Sequence, residues 1–230
     1  MTTAIVVAAG KSERMGPNTD KAFLNLGSKP VVAWSLLAFE RCADIDEIVL
    51  VVRKDQQMAA QSVVKMFGIS KARKVVPGGS RRQDSVGNGL AAADADTRLV
   101  VVHDGARPCV TPELISETVK AAKRCGAAVA GRRVCDTIKY VERAPHITRT
   151  EDRSRLWAVQ TPQAFNANLL RRAYKALSGD RKTEVTDDAQ AVELLAEEGQ
   201  QIKIVENNAP NFKITTAEDL QLAADVLKLK

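Results

Sequence analysis

The sequence predicts an open α/β fold: a mostly parallel sheet flanked by helices. Two observations carry that prediction. Short apolar runs rich in Val and Ile alternate with helix-like stretches along the chain. The cations and glycines that suit phosphate binding fall in the loops after the strand-like runs, which is where ligands sit in such sheets. With 230 residues the chain is long enough to bury a sizeable core and reads as a single domain. Its 45% apolar and 27% charged residues are ordinary for a soluble globular protein.

Ala4–Ala9 reads as the first strand. Pro30 opens a helix to about Arg41, since proline suits a first turn. "EIVLVV" (Glu47–Val52) is a buried strand, and Asp55–Phe67 a helix closed by Gly68. "RKVV" (Arg73–Val76) is a short strand ending at Pro77, after which "GGSRRQDSVGNGL" leads into a helix to about Ala93. Arg98–His103 is the next strand. Thr111 is a good N-cap with Pro112 at the first helical position, and that helix runs to Arg124, stopping at Gly126. The strand Ala127–Ala130 follows.

The pattern changes from Asp136 to Ala164. "TIKYV" and "HITRT" are β-prone and separated by Ala-Pro, as in a long hairpin. The stretch has too little apolar content to bury both faces on its own core. Two readings stand: a solvated edge hairpin, or a protruding β-arm, residues 136–160, that finds a partner elsewhere. Helices resume from about Asn168 to Leu177, and Thr186 is expected to cap a helix to Glu198. Ile202–Val205 is a short strand. Thr216 and Asp219 approximate a capping box for a last helix to Lys230.

"AIVVAAGKSERMG" (Ala4 to Gly16) opens the chemistry. It is not a dinucleotide fingerprint, because only Gly10 and Gly16 are present and Ser12 stands where a second glycine belongs. Nor is it a P-loop, since Gly10 has no glycine five residues on, where Met15 stands, and no Lys-Ser/Thr pair follows that position. A plain loop with incidental charges remains open. So does a glycine turn that, with Lys11, Arg14 and Lys21, wraps a triphosphate.

The net charge of +6 raises nucleic acid as a partner. Aromatic residues are only 4%, too few for stacking platforms, and the cations sit in separate loops. A phosphorylated small molecule, and no nucleic acid, is the expectation. The four cysteines form no C-x-x-C pair, so free thiols in a cytoplasmic protein are expected. The first apolar run is too short to span a bilayer and lacks a basic lead-in; neither a signal peptide nor a membrane segment is expected.

The loops after the strands collect Gly10, Lys11, Arg14 and Lys21; then Gly78, Gly79, Ser80, Arg81, Arg82 and Ser85; then Asp104, Gly105 and Arg107; and finally Lys213. Cations with one prominent carboxylate, Asp104, suit a triphosphate, a second phosphate and a divalent metal. The chain has two histidines, no G-x-S-x-G and no H-E-x-x-H, so hydrolase and zinc-enzyme readings have little support. A phosphate monoester is largely dianionic at neutral pH and needs no general base to act as a nucleophile. His103 is expected to hold the strand end rather than do chemistry.

"AAGKSERMG", "DKAFLNLGSKPV", "GGSRRQDSV", "VHDGARP", "CDTIK", "AVQTPQAF", "VTDDA" and "NFKITTAEDL" follow in this order across nearly the whole chain. Together they resemble the 2-C-methyl-D-erythritol 4-phosphate cytidylyltransferases of the non-mevalonate isoprenoid pathway. The resemblance implies a Rossmann-like nucleotidyltransferase fold in a homodimer, with a β-arm that reaches over the partner. It implies CTP and a polyol phosphate as substrates, pyrophosphate as a product, and Mg²⁺ as cofactor. Carried over by residue, Ala8, Ala9 and Gly10 would line the nucleotide, and Arg14 and Lys21 would stabilise charge at the α-phosphorus. Gly79 and Ser85 would read the cytosine, while Asp104 and Arg107 would hold the metal–ribose region and the second substrate. Thr186 and Lys213 would sit near the substrate phosphate and reacting centre. Thr137, Arg153 and Thr161 would reach the methylerythritol end, the first two from the other subunit. Val7 and Ser12 replace a proline and a glycine common in the family, and Ser80 replaces an acidic residue of some members. Two alternatives remain: a ribitol 5-phosphate cytidylyltransferase, which shares the nucleotide half, and a non-catalytic nucleotide-binding regulator.

Overall fold

A computed structural model describes residues 1–10, 20–143, 146–179, 182–195 and 199–229. Its first half alternates strand and helix: β1 (Thr2–Ala8), a small ladder of β2 (Asn25–Leu26) and β3 (Lys29–Pro30), α1 (Val31–Arg41), β4 (Glu47–Val52), α2 (Gln57–Met66), β5 (Ala72–Pro77) and α3 (Arg82–Ala92). The second half begins with β6 (Leu99–Asp104), α4 (Pro112–Cys125), β7 (Ala127–Arg133) and a hairpin of β8 (Lys139–Tyr140) and β9 (Arg149–Thr150). It ends with β10 (Trp157–Asn166), α5 (Ala167–Leu177), α6 (Asp188–Glu193), β11 (Lys203–Glu206) and α7 (Ala217–Val226).

Seven strands form one sheet in the order β11-β7-β10-β6-β1-β4-β5. All neighbours are parallel except β10, which runs antiparallel to both β6 and β7. Alternate side chains of each strand face opposite layers. Val6 packs with Leu36, Phe39 and Ile115 on one face, and Ile5 with Val86 and Leu170 on the other. A fully buried Val, Leu or Ile contributes roughly 1.5–3 kcal/mol, so these two layers supply most of the driving force. Glu47 is buried at the start of β4 and is satisfied by Thr3 Oγ1 at 3.0 Å, Lys74 Nζ at 3.3 Å and the Asp94 N–H at 3.2 Å.

The caps follow local chemistry. Thr111 accepts the Leu114 N–H at 3.2 Å, and α4 ends on Gly126 at φ 83°, a left-handed position that suits glycine. Thr216 and Asp219 form the expected capping box of α7. Thr186 does not cap α6: Asp187 does, accepting the Gln190 N–H at 2.9 Å, while the Thr186 hydroxyl donates to Gln190 Oε1. A carboxylate is the stronger acceptor at a helix N-terminus, which accounts for the one-residue shift. That helix ends at Glu193, and residues 196–198 of the expected helix lie outside the described residues.

The largest difference from the sequence pattern is β10. Residues 157–160, grouped with the arm by sequence, belong to this strand of the main sheet. Its buried positions include Gln160, Thr161 and Gln163, and Pro162 lies where its pairing with β7 shifts register. Polar residues and a proline hide a central strand from a reading based on apolar alternation. The β8–β9 hairpin is exposed and carries Arg149 stacked over the Tyr140 ring at 4.1 Å. No helix among the described residues is long and apolar enough to cross a membrane.

Candidate active site

β1 and β6 are adjacent and parallel, with Val7 opposite Asp104. Their carboxyl ends, with those of β4 and β5, open onto a cavity of about 620 Å³. One wall is Ala8, Ala9 and Gly10. Another is the turn from β5 into α3. A Cβ on Gly78 would lie 2.4 Å from Ala9 Cβ, and one on Gly79 would lie 2.3 Å from Asp84 Cβ, so glycine is required at both. Ser85 braces this turn, its Oγ accepting the Gly79 N–H at 3.1 Å and donating to the Arg81 carbonyl at 3.2 Å. Arg81 and Ser80 bind the Asp84 carboxylate and hold its pKa down to about 2.

Asp104 lies on the cavity floor with three cations around it among the described residues. Lys213 Nζ is 3.1 Å from its Oδ2, Arg107 Nε 3.4 Å from the same oxygen, and Arg82 Nε 3.4 Å from Oδ1. Burial alone would raise this carboxyl, but Lys213, Arg82 and Arg107 outweigh it and hold the pKa far below the usual carboxylate range. Lys213 is placed by its neighbour: the Ile214 N–H donates to the Ala106 carbonyl at 2.8 Å, tying the late loop to the end of β6. Arg107 is tied to the Asn211 carbonyl at 2.8 Å. Arg82 is anchored on its far side by buried Asp188, 2.8 Å away. Burial works against the Arg82 charge, but Asp188 and Asp104 raise its pKa above the ordinary arginine range.

Beneath the floor, Thr161 Oγ1 accepts the Asp104 N–H at 3.1 Å and lies 3.0 Å from His103 Nδ1. His103 is wholly buried against Phe39, and burial pushes its pKa down to about 3. It is a neutral support for the strand end.

Of the residues singled out from sequence, Ala8, Ala9, Gly10, Lys21, Gly79, Ser85, Asp104 and Lys213 all line the cavity. Arg107 and Thr161 act on Asp104 from beside and below it. Arg14 lies outside the described residues. Thr186 is exposed, pairs with Gln190 and does not line the cavity. Thr137 and Arg153 are exposed on either side of the β8–β9 hairpin and do not line the cavity. The sequence reading passed over Arg53, Lys54 and Asp55, which line the cavity just after β4. Ligands gather at the carboxyl ends of all the central strands, and applying that rule to β4 would have found them.

Among the described residues no group of three His, Cys, Asp or Glu side chains could hold a metal ion. Mg²⁺ in nucleotide sites takes one or two carboxylates and fills its octahedron with phosphate oxygens and water. Asp104, charged and facing the cavity, fits a metal of that kind arriving with a nucleotide.

The sequence profile of the IspD family, 2-C-methyl-D-erythritol 4-phosphate cytidylyltransferase, matches residues 2–229. The chain belongs to this family. Cytidylyltransferases of that description from Pelotomaculum thermopropionicum and Alkaliphilus metalliredigens are 44% and 42% identical to it. The alignments cover 99% and 98% of this chain, and 94% and 92% of theirs. The solved 4-diphosphocytidyl-2C-methyl-D-erythritol synthase of Anaerococcus prevotii superposes with a TM-score of 0.87 at 29% identity, covering 99% of this chain and 96% of that one. The Thermus thermophilus cytidylyltransferase gives a TM-score of 0.78 at 33% identity, covering 97% and 98%. As a member of the IspD family the chain is a nucleotidyltransferase, acting in CTP-dependent cytidylyl transfer to 2-C-methyl-D-erythritol 4-phosphate for isoprenoid synthesis.

Proposed function

We propose that the cavity over Asp104 is where this cytidylyl transfer takes place, and that the chain's own residues work mainly by placing and neutralising charge. The observation that carries the reading is the Asp104 cluster: one ionised carboxylate held by Lys213, Arg82 and Arg107 at the carboxyl ends of β1 and β6. CTP binds with its base against Gly79 and Ser85 and its phosphates over Ala8, Ala9, Gly10 and Lys21, with Arg14 joining from the opening loop. A phosphate oxygen of the methylerythritol phosphate attacks the α-phosphorus. A new P–O bond forms there, the bond to the bridging oxygen of the β-phosphate breaks, and pyrophosphate leaves. The attacking phosphate is already dianionic, so no general base is needed, which suits a cavity whose nearest histidine is neutral and buried. Lys21, Arg14 and Lys213 stabilise the charge that builds in the transition state. Mg²⁺, held by Asp104 together with the phosphates, supplies Lewis-acid charge neutralisation when bound.

The active form is a homodimer whose exposed arm carries Thr137 and Arg153 into the partner's cavity. Two features support this: neither residue lines the cavity of its own chain, and Tyr140, Val141 and Ile147 on the arm are solvent-exposed apolar side chains. Thr186 joins the polyol-phosphate side of the site. The compartment is the cytoplasm, which suits four cysteines that are all free thiols. Pyrophosphate release from CTP, measured with methylerythritol phosphate and with ribitol 5-phosphate in turn, tests the reading. Release with the first alone is expected. Release with ribitol 5-phosphate alone would reassign the substrate, and release with neither would leave a nucleotide-binding regulator.

A further inference from the structure

Among the described residues, Arg82 is the cation of the Asp104 cluster that is shared with a second carboxylate. Its Nε reaches Asp104 and its Nη2 reaches Asp188 Oδ2, 2.8 Å away. Asp188 is wholly buried. Its other oxygen accepts the Tyr174 hydroxyl at 2.5 Å. Its backbone N–H donates to Gln163 Oε1 at 3.1 Å, and the same amide oxygen accepts the Ala189 N–H. Gln163 Nε2 in turn donates to Asp187 Oδ2, the cap of α6. So the central strand β10, through one buried amide, fixes the first turn of α6, and that turn aims a carboxylate at the back of Arg82.

The arrangement bears on the nucleotide-bound state. Among the described residues three cations share Asp104. If Asp104 takes a metal with the nucleotide, it loses attraction for them. Lys213 is a flexible ammonium, about a third exposed at the cavity wall, and is free to swing toward phosphate. Arg107 is held by the Asn211 carbonyl. Arg82 would have no other anchor among the described residues but Asp188 and would otherwise swing into the cavity, across the space the phosphates need. Resting on the proposed function, we infer that Asp188 is a positioning residue: with Tyr174 it holds Arg82 against the cavity wall, so that Asp104 and the phosphates can change partners around a guanidinium that does not move.

A double-mutant cycle ties the effect of Asp188 to Arg82, and the melting temperatures separate positioning from a merely structural ion pair, whose losses would track stability. Wild type, Asp188→Asn, Arg82→Gln and the double variant are compared by kcat and KM for both substrates, with thermal unfolding recorded for each. If Asp188 acts through Arg82, Asp188→Asn lowers kcat/KM by roughly 10-fold when Arg82 is present, and the double variant matches Arg82→Gln to within about twofold. Tyr174→Phe keeps the ion pair and removes one hydrogen bond. It should cost about 2–5-fold with Arg82 present and nothing without it; it carries the test if Asp188→Asn fails to fold. Equal losses in both Arg82 backgrounds, tracking lowered melting temperature, would overturn the inference while leaving the function intact. A folded wild type that releases no pyrophosphate from CTP with either polyol phosphate would overturn the proposed function instead.

Discussion

Lys213 Nζ lies 3.1 Å from Asp104 Oδ2 although the two residues are far apart in the chain, and the bond between the Ile214 N–H and the Ala106 carbonyl holds their backbones together. A loop near the C-terminus thereby delivers an ammonium to the end of a central strand. The carboxylate it meets also serves Arg82 and Arg107, so Asp104 is the keystone for three charges.

Asp104→Asn should therefore lower both activity and stability. Removing this carboxylate takes the shared anion from Lys213 and Arg107 and leaves Arg82 with Asp188, and breaking a buried ion-pair network costs roughly 3–5 kcal/mol. The sign with pH is fixed by the depressed carboxyl. Its contribution is fully present above the unfolded aspartate pKa of about 3.9 and shrinks as pH falls below it, as the unfolded chain takes up a proton that the folded one refuses. Urea unfolding of wild type and variant should show a constant gap from pH 5 to 8 that narrows below pH 4. A gap that narrows between pH 5 and 8 would contradict the assignment.

His103 gives a second pH signature. Burial holds its pKa at about 3, so the folded protein keeps it neutral where the unfolded chain, near 6.5, binds a proton. Wild-type stability should fall as pH drops from about 6.5 toward 3, with His103 contributing up to about 1.4 kcal/mol per pH unit. His103→Gln should remove that one-proton slope. An unchanged slope in the variant would show that His103 is protonated in the fold.

The glycine turn gives a third test. Gly79→Ala places a Cβ 2.3 Å from Asp84 Cβ, and that carbon belongs to the first turn of α3 and cannot swing away. The turn must shift, at a cost of about 1–3 kcal/mol. If it cradles the base, the loss should appear as a KM for CTP raised roughly 10-fold or more, with the KM for the polyol phosphate little changed. An unaltered KM for CTP would place the base elsewhere.

How much of this was legible in the sequence depends on where the signal lies. β4 was readable to the residue, because five consecutive apolar positions after Glu47, buried on both faces, leave no ambiguity. Thr111, Gly126 and Thr216 announced their helix ends through side-chain chemistry that is local. β10 was not readable, because the buried side chains of Gln160 and Gln163 find partners distant in sequence, such as Asn211 and Asp187. The cavity residues after β1, β5 and β6 were found because strand ends are visible in sequence. The Arg82–Asp188 pair was not, since 106 residues separate its members and neither side chain advertises the other.

The arm can be tested in solution. If the protein is a homodimer in which Arg153 completes the partner's cavity, Lys213→Ala and Arg153→Ala should each be nearly inactive, since every site would lack one of the two groups. Mixed and allowed to exchange, about half the dimers become heterodimers with one intact site of two, so activity should return to roughly a quarter of wild type. Demonstrated exchange with no recovery would mean that Arg153 serves its own chain.

The most direct measurement follows the transfer itself in Lys213→Ala. Rapid-quench turnover of CTP with methylerythritol phosphate is compared with calorimetric binding of CTP to the same protein. If Lys213 stabilises charge that grows at the reacting phosphorus, the single-turnover rate falls by about 10²–10³ while CTP affinity changes several-fold at most. A single-turnover rate equal to that of the wild type, with CTP affinity reduced, would contradict the account and leave the Asp104 cluster as a binding platform alone.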